Sequence, residues 1–172
     1  MKARLKTFAD LALATLLCHG AAAQEATATT EELQERIAAL ENLAVRSQSH
    51  VMMDVEYHFG TLWFAAQSQQ WDLAAFMLKE SRSHLAWTVR MRPVRTVPTT
   101  GGTVELKPFE DAIASSFDAL DASIKAQNLG DFEAAYKETL TRCHACHTAS
   151  GLGFIEPQIP THSPSTMLIR EK

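Results

Sequence analysis

Apolar residues recur every three or four positions through most of the stretch from residue 31 to residue 147, and that period commits the chain to helices. Leu33, Ile37, Leu40 and Ala44 form a first stripe two heptads long, flanked by Glu and Arg, which suits either a helix packed on its own domain or a short coiled coil. After a polar break at Ser47-Gln48-Ser49, residues 50–68 repeat the pattern through Val51, Val55, His58, Leu62 and Ala65. Trp71-Asp72 opens a further helix whose stripe of Leu73, Phe76, Met77, His84, Trp87 and Met91 runs to the stop at Pro93. Residues 93–106 hold Pro93, Pro98 and Gly101-Gly102 and read as a long connection. Pro108 suits the first turn of the next helix, with Phe109, Ile113, Phe117, Leu120 and Ile124 on one face. Gly130 is expected to end it, and Asp131 to cap a last helix through Phe132, Tyr136 and Leu140. No alternating strand pattern is visible. The expected fold is all-α: an antiparallel four-helix bundle over 48–147, with a prepended helix in 24–47 and an extended tail over 148–172 rich in Gly and Pro.

The first 23 residues read as a secretory signal instead of part of the fold. Lys2, Arg4 and Lys6 precede the short apolar run Leu11–Leu17, and Ala21-Ala22-Ala23 offers a small-residue cleavage site. The run is too short to span a bilayer. Bulky Leu16-Leu17 ahead of Cys18 is unlike a lipidation signal. Cleavage near Ala23 would leave an exported, periplasmic chain and, by removing three basic and one acidic side chain, take the formal charge from −4 to −6. Such an acidic chain has no clustered Lys and Arg with which to bind nucleic acid.

Cleavage also leaves only two cysteines, in a compartment where thiols are usually engaged. They stand in Cys143-His144-Ala145-Cys146-His147, the C-x-x-C-H pattern of covalent haem attachment. Two thiols one helical turn apart match two vinyl groups, and the adjacent histidine is placed against the iron. A zinc site is the weaker reading, because Cys143, His144, Cys146 and His147 cannot all point one way on a helix. A thioredoxin-like pair should follow a strand and open a helix, whereas this one closes a helix.

A pentad this near the C-terminus, closing the fourth helix of a bundle, resembles the class II cytochromes c, the cytochrome c′ family. The likeness covers the architecture of residues 48–147 and has the pentad as its specific motif. It implies one covalent haem c, with Cys143 and Cys146 as thioether anchors and His147 as the proximal iron ligand. The chain departs from the family in having Thr148-Ala149-Ser150-Gly151 where a basic residue usually follows the histidine.

In an up-down-up-down arrangement the C-terminal end of the last helix lies beside the start of the first, the end of the second and the start of the third. A helix over 131–147 is about 25 Å long, and the same rise along its neighbours reaches Met53, Trp87 and Ile113. Within one turn of that level stand His50, Met52, Met53, His84, Trp87 and Met91, with Trp87, Phe109 and Ile113 as expected pocket walls. The resemblance implies a distal residue early on the first bundle helix, hence Met53 or Met52, then His50, with His84 weaker. As flexible core fillers the same methionines would need no metal. His58 lies further up and reads as a hydrogen-bonded core or surface histidine. Neither Glu56-Tyr57-His58 nor Glu80 with His84 has the Glu-x-x-His spacing of a di-iron carboxylate site.

Two functions fit these residues. A six-coordinate iron with His147 and a methionine or histidine suits one-electron transfer with periplasmic redox proteins, and an acidic surface selects a basic partner. A five-coordinate iron behind an apolar wall such as Val51 and Val55 suits binding of nitric oxide or carbon monoxide, for sequestration or sensing. An enzyme is not expected: the one acid–base hint, His50 with Asp54, is a common helix-surface spacing. A homodimer is suggested by the family likeness and by the seam from Leu33 to Ala44.

Overall fold

The structure, a computed structural model, describes residues 28–44, 48–165 and 167–169. The expected leader, its cleavage near Ala23 and Ser47 lie outside the described residues. The chain divides into two compact units, the first ending at Ala44. Its helix α1 (Thr30–Ala44) starts with a reciprocal capping box, in which the Glu32 carboxylate accepts from the Thr29 N–H at 2.8 Å and the Thr29 hydroxyl accepts from the Glu32 N–H at 3.1 Å. Leu33, Ile37 and Leu40 of the expected seam lie exposed along it.

The second unit holds α2 (Gln48–Gln67), α3 (Trp71–Met91), the strands β1 (Val94–Thr96) and β2 (Thr103–Glu105), α4 (Lys107–Lys125) and α5 (Leu129–Ala149). Each helix packs on the next, and α5 also meets α2. The helical stripes account for the core: Leu62, Ala65 and Ala66 of α2 face Ala74, Met77 and Leu78 of α3, while Ile113, Phe117, Leu120 and Ile124 of α4 meet Phe132 and Tyr136 of α5. Three alanines on facing stretches of α2 and α3 let those two backbones approach closely. The buried hydroxyls of Ser81, Ser116, Ser123 and Thr139 are satisfied by carbonyls three or four residues back in their own helices.

The α2–α5 seam is aromatic. Phe59 stacks on Tyr136 with ring centroids 4.3 Å apart and planes 7° from parallel, and Trp63 lies 4.9 Å from Tyr136 and 6.1 Å from Phe132. The Tyr136 hydroxyl donates to the Phe59 carbonyl at 3.0 Å, so its only polar atom is satisfied in the core. Burial raises the Tyr136 phenol above its ordinary range and keeps it a donor. At the far end of this seam Gln67 donates to Glu133 at 2.8 Å.

Two expectations are corrected. The connection 93–106 contains a hairpin, with Val94 opposite Glu105, Arg95 opposite Val104 and Thr96 opposite Thr103. Its loop is closed by the Val97 N–H on the Gly102 carbonyl and the Gly101 N–H on the Val97 carbonyl, with Gly101 at φ +70°. The cap of α5 is Asn128, whose side chain accepts from the Asp131 N–H at 3.2 Å, and the left-handed residue before it is Gln127 at φ +52°. Asp131 thus sits in the first turn, where its charge favours the helix start, and Gly130 is inside the helix.

Residues 151–165 contain neither helix nor strand, yet they are partly packed: Pro164 lies 3.2 Å from where a Cβ on Gly60 would be, and Ser165 is buried. The hairpin loop rests against Gly151, which has φ +73° and whose added Cβ would come within 2.9 Å of Val97 Cγ1. In urea unfolding, Leu62→Ala should cost about 2–5 kcal/mol, while exposed Met53→Ala should stay within about 0.5 kcal/mol. Gly151→Ala should cost about 1–3 kcal/mol and more than Gly101→Ala, where strain acts without the contact.

Candidate functional site

Along α5 the residues Phe132, Tyr136, Thr139 and Cys143 follow one another at intervals of four, three and four, so they share a face. The first three are buried, and Cys143 packs against the same core. Cys146 and His147 come one turn later, half-buried, and the helix continues to Ala149 before Ser150 caps it by bonding the Cys146 carbonyl at 3.0 Å. The pentad therefore occupies the last turns of a helix whose earlier turns are anchored in the core.

Both thiols are free. Burial, with a smaller contribution from Cys146, pushes the Cys143 thiol up to about 12. Cys146 is also raised by burial, but a hydrogen bond with Ser150 and the positive charge of Arg95 oppose the rise. Arg95 reaches this position from β1. It donates to Gln48 Oε1 at 2.5 Å, and its Nε is buried without a hydrogen-bond partner.

The chain beyond the helix turns back over the pentad. The Leu152 N–H bonds the His147 carbonyl and the Ile155 N–H bonds the Leu152 carbonyl, each at 2.8 Å, which brings two more carbonyls onto the histidines. His147 Nδ1 donates to Ile155 O at 2.8 Å, and His144 Nε2 donates to Gly153 O at 3.0 Å. A proton held on Nδ1 of His147 leaves the Nε2 lone pair available, as in histidine ligands whose second nitrogen is fixed by a carbonyl.

The other expected site residues are spread over the surrounding helices. Ile113 is buried, Trp87 and Phe109 are half-buried, and His50 and Met53 are exposed near the start of α2, Met53 by 63%. Met52 is half-buried and stands seven residues before Phe59, on the stripe that carries Phe59 and Trp63 toward α5. Met91 is exposed at the end of α3.

His84 is drawn into a different group. Its ring stacks on His58 of α2 with centroids 4.9 Å apart and planes 19° from parallel, and Asp54 Oδ2 lies 3.9 Å from its Nδ1. One ligating atom each from His58, Glu80 and His84 lie within 4.8 Å of one another, and all three residues are half-buried. The Nδ1 of His58 is buried without a hydrogen-bond partner. Burial, assisted by His84, lowers its pKa against the opposing pull of Glu80 and Asp54. Sequence spacing shows Glu80 and His84 as an i, i+4 pair, but their meeting with His58 depends on how α2 and α3 pack.

Comparison of the chain with family models, with curated proteins and with solved structures found no match. Among the described residues no helix is long and apolar enough to cross a membrane.

The unequal thiols give a direct test. In the free-thiol chain at about pH 8, iodoacetamide should modify Cys146 well before Cys143, because the Cys143 thiolate is the scarcer. Peptide mass spectrometry would resolve the two, and equal rates would contradict the burial of Cys143.

Proposed function

We propose that this chain is an exported cytochrome of the class II kind, an antiparallel four-helix bundle that holds one covalent haem c and transfers single electrons. The observation that carries the reading is the pentad at the end of α5, with His147 turned by the Ile155 carbonyl so that Nε2 is available. The residues present fit the group. Cys143 and Cys146 are free thiols one turn apart.

In this reading Cys143 and Cys146 would hold the haem through thioethers, formed by addition of each S–H across a vinyl group with no oxidant needed, and His147 Nε2 would be the iron ligand. When bound, the haem supplies an iron that cycles by one electron. The residue favoured for the opposite face is Met52, ahead of Met53 or His50. In an antiparallel arrangement, seven residues back from Phe59 on α2 and seven forward from Tyr136 on α5 both lead about 10 Å from the aromatic stack in the same direction, to Met52 and Cys143. Met53 points into solvent instead. A thioether ligand raises the reduction potential, and the acidic mature chain suits a basic redox partner in the periplasm.

One observation favours the five-coordinate, gas-binding alternative: Val51, beside Met52, is 2% exposed and offers an apolar wall. Visible spectra of the exported protein separate the two. The carrier should show low-spin bands in both oxidation states that carbon monoxide leaves unchanged. Met52→Ala should convert it to a form that carbon monoxide shifts, while Met53→Ala should not. A wild-type high-spin spectrum shifted by carbon monoxide would establish the gas-binding reading. Covalent haem surviving in the Cys143→Ala, Cys146→Ala double variant would refute both.

A further inference from the structure

We infer that His58, Glu80 and His84 form a site for one divalent transition-metal ion of the zinc type, on the seam between α2 and α3. The inference does not depend on the haem reading, since it uses none of the pentad. Two imidazole nitrogens and a carboxylate oxygen are a borderline donor set that suits zinc and copper(II) better than calcium or magnesium. Their ligating atoms already lie within 4.8 Å of one another. Four-coordinate zinc with bonds of about 2.0–2.1 Å holds its ligand atoms roughly 3.3 Å apart, so each side chain has only about 1 Å to move.

The surroundings point the same way. Glu80 and His84 are one turn apart on α3, and His58 faces them from α2. His58 Nδ1 is a buried polar atom without a hydrogen-bond partner, and coordination would satisfy it. The charged groups that act on His58 are His84 beside it, Glu80 from α3 and Asp54 from its own helix. Two neutral imidazoles with two carboxylates balance a divalent cation. Asp54 Oδ2, 3.9 Å from His84 Nδ1, adds a second carboxylate charge beside the group without a hydrogen bond to it. Three protein ligands in a half-buried position leave the fourth to water.

The test is calorimetric titration of zinc chloride into the full exported chain after chelator treatment, at neutral pH, beside single variants checked for helical content by circular dichroism. One ion per chain should bind with micromolar or tighter affinity. His58→Ala, His84→Ala and Glu80→Gln should each weaken binding by at least about tenfold, while the Cys143→Ala, Cys146→Ala double variant should bind as the wild type does. Should a histidine variant fail to fold, Glu80→Gln, nearly the same size and half-buried, carries the test. No saturable binding to the wild type, binding unaffected by Glu80→Gln, or binding that disappears with the two cysteines would each overturn the proposal. Loss of haem absorbance alone would bear on the haem reading and leave this one standing.

Discussion

The contact between Phe59 and Tyr136 holds the rest in place. α2 and α5 are separated by two other helices in the chain, and they meet through stacked rings and a hydroxyl that donates to the partner helix's backbone. Dispersion between rings tolerates sliding, whereas a hydrogen bond to one carbonyl does not. The pair therefore sets the register of α5 against α2. Everything beyond Tyr136 on α5, including both cysteines and His147, inherits its position from that register.

Past the aromatic stack the structure turns from apolar to polar means of support. Hydroxyls bonded within their own helices serve the core, but the pentad is framed by longer connections: Arg95 from the hairpin, Gln48 at the start of α2, and the carbonyls of residues 153 and 155. These contacts come from segments distant in sequence or without regular structure. A helix end supported in this way keeps its histidine oriented even though no further turn of helix covers it.

The sequence displayed the helices well, because their apolar stripes are long and their ends carry Pro, Gly or Asn. It displayed the hairpin poorly, since two strands of three residues give an alternating pattern no room to show itself. Asn128 and Asp131 are both good caps, and which of them occupies the boundary depends on a left-handed Gln127 that spacing does not reveal. The pentad was legible because its chemistry is local. The meeting of His58 with His84 was not, since it joins residues 26 apart through the packing of two helices.

Gly151 follows His147 by four residues and lies under Val97 at the hairpin loop. The turn that carries the chain back over the histidine and the loop that touches this turn are therefore constrained jointly. A homologue with a larger residue at 151 would need a compensating smaller one at 97, and the two columns should co-vary. A glycine four positions after the pentad, paired with a β-branched residue in the preceding hairpin, thus makes a search pattern more selective than C-x-x-C-H alone for chains built in this way.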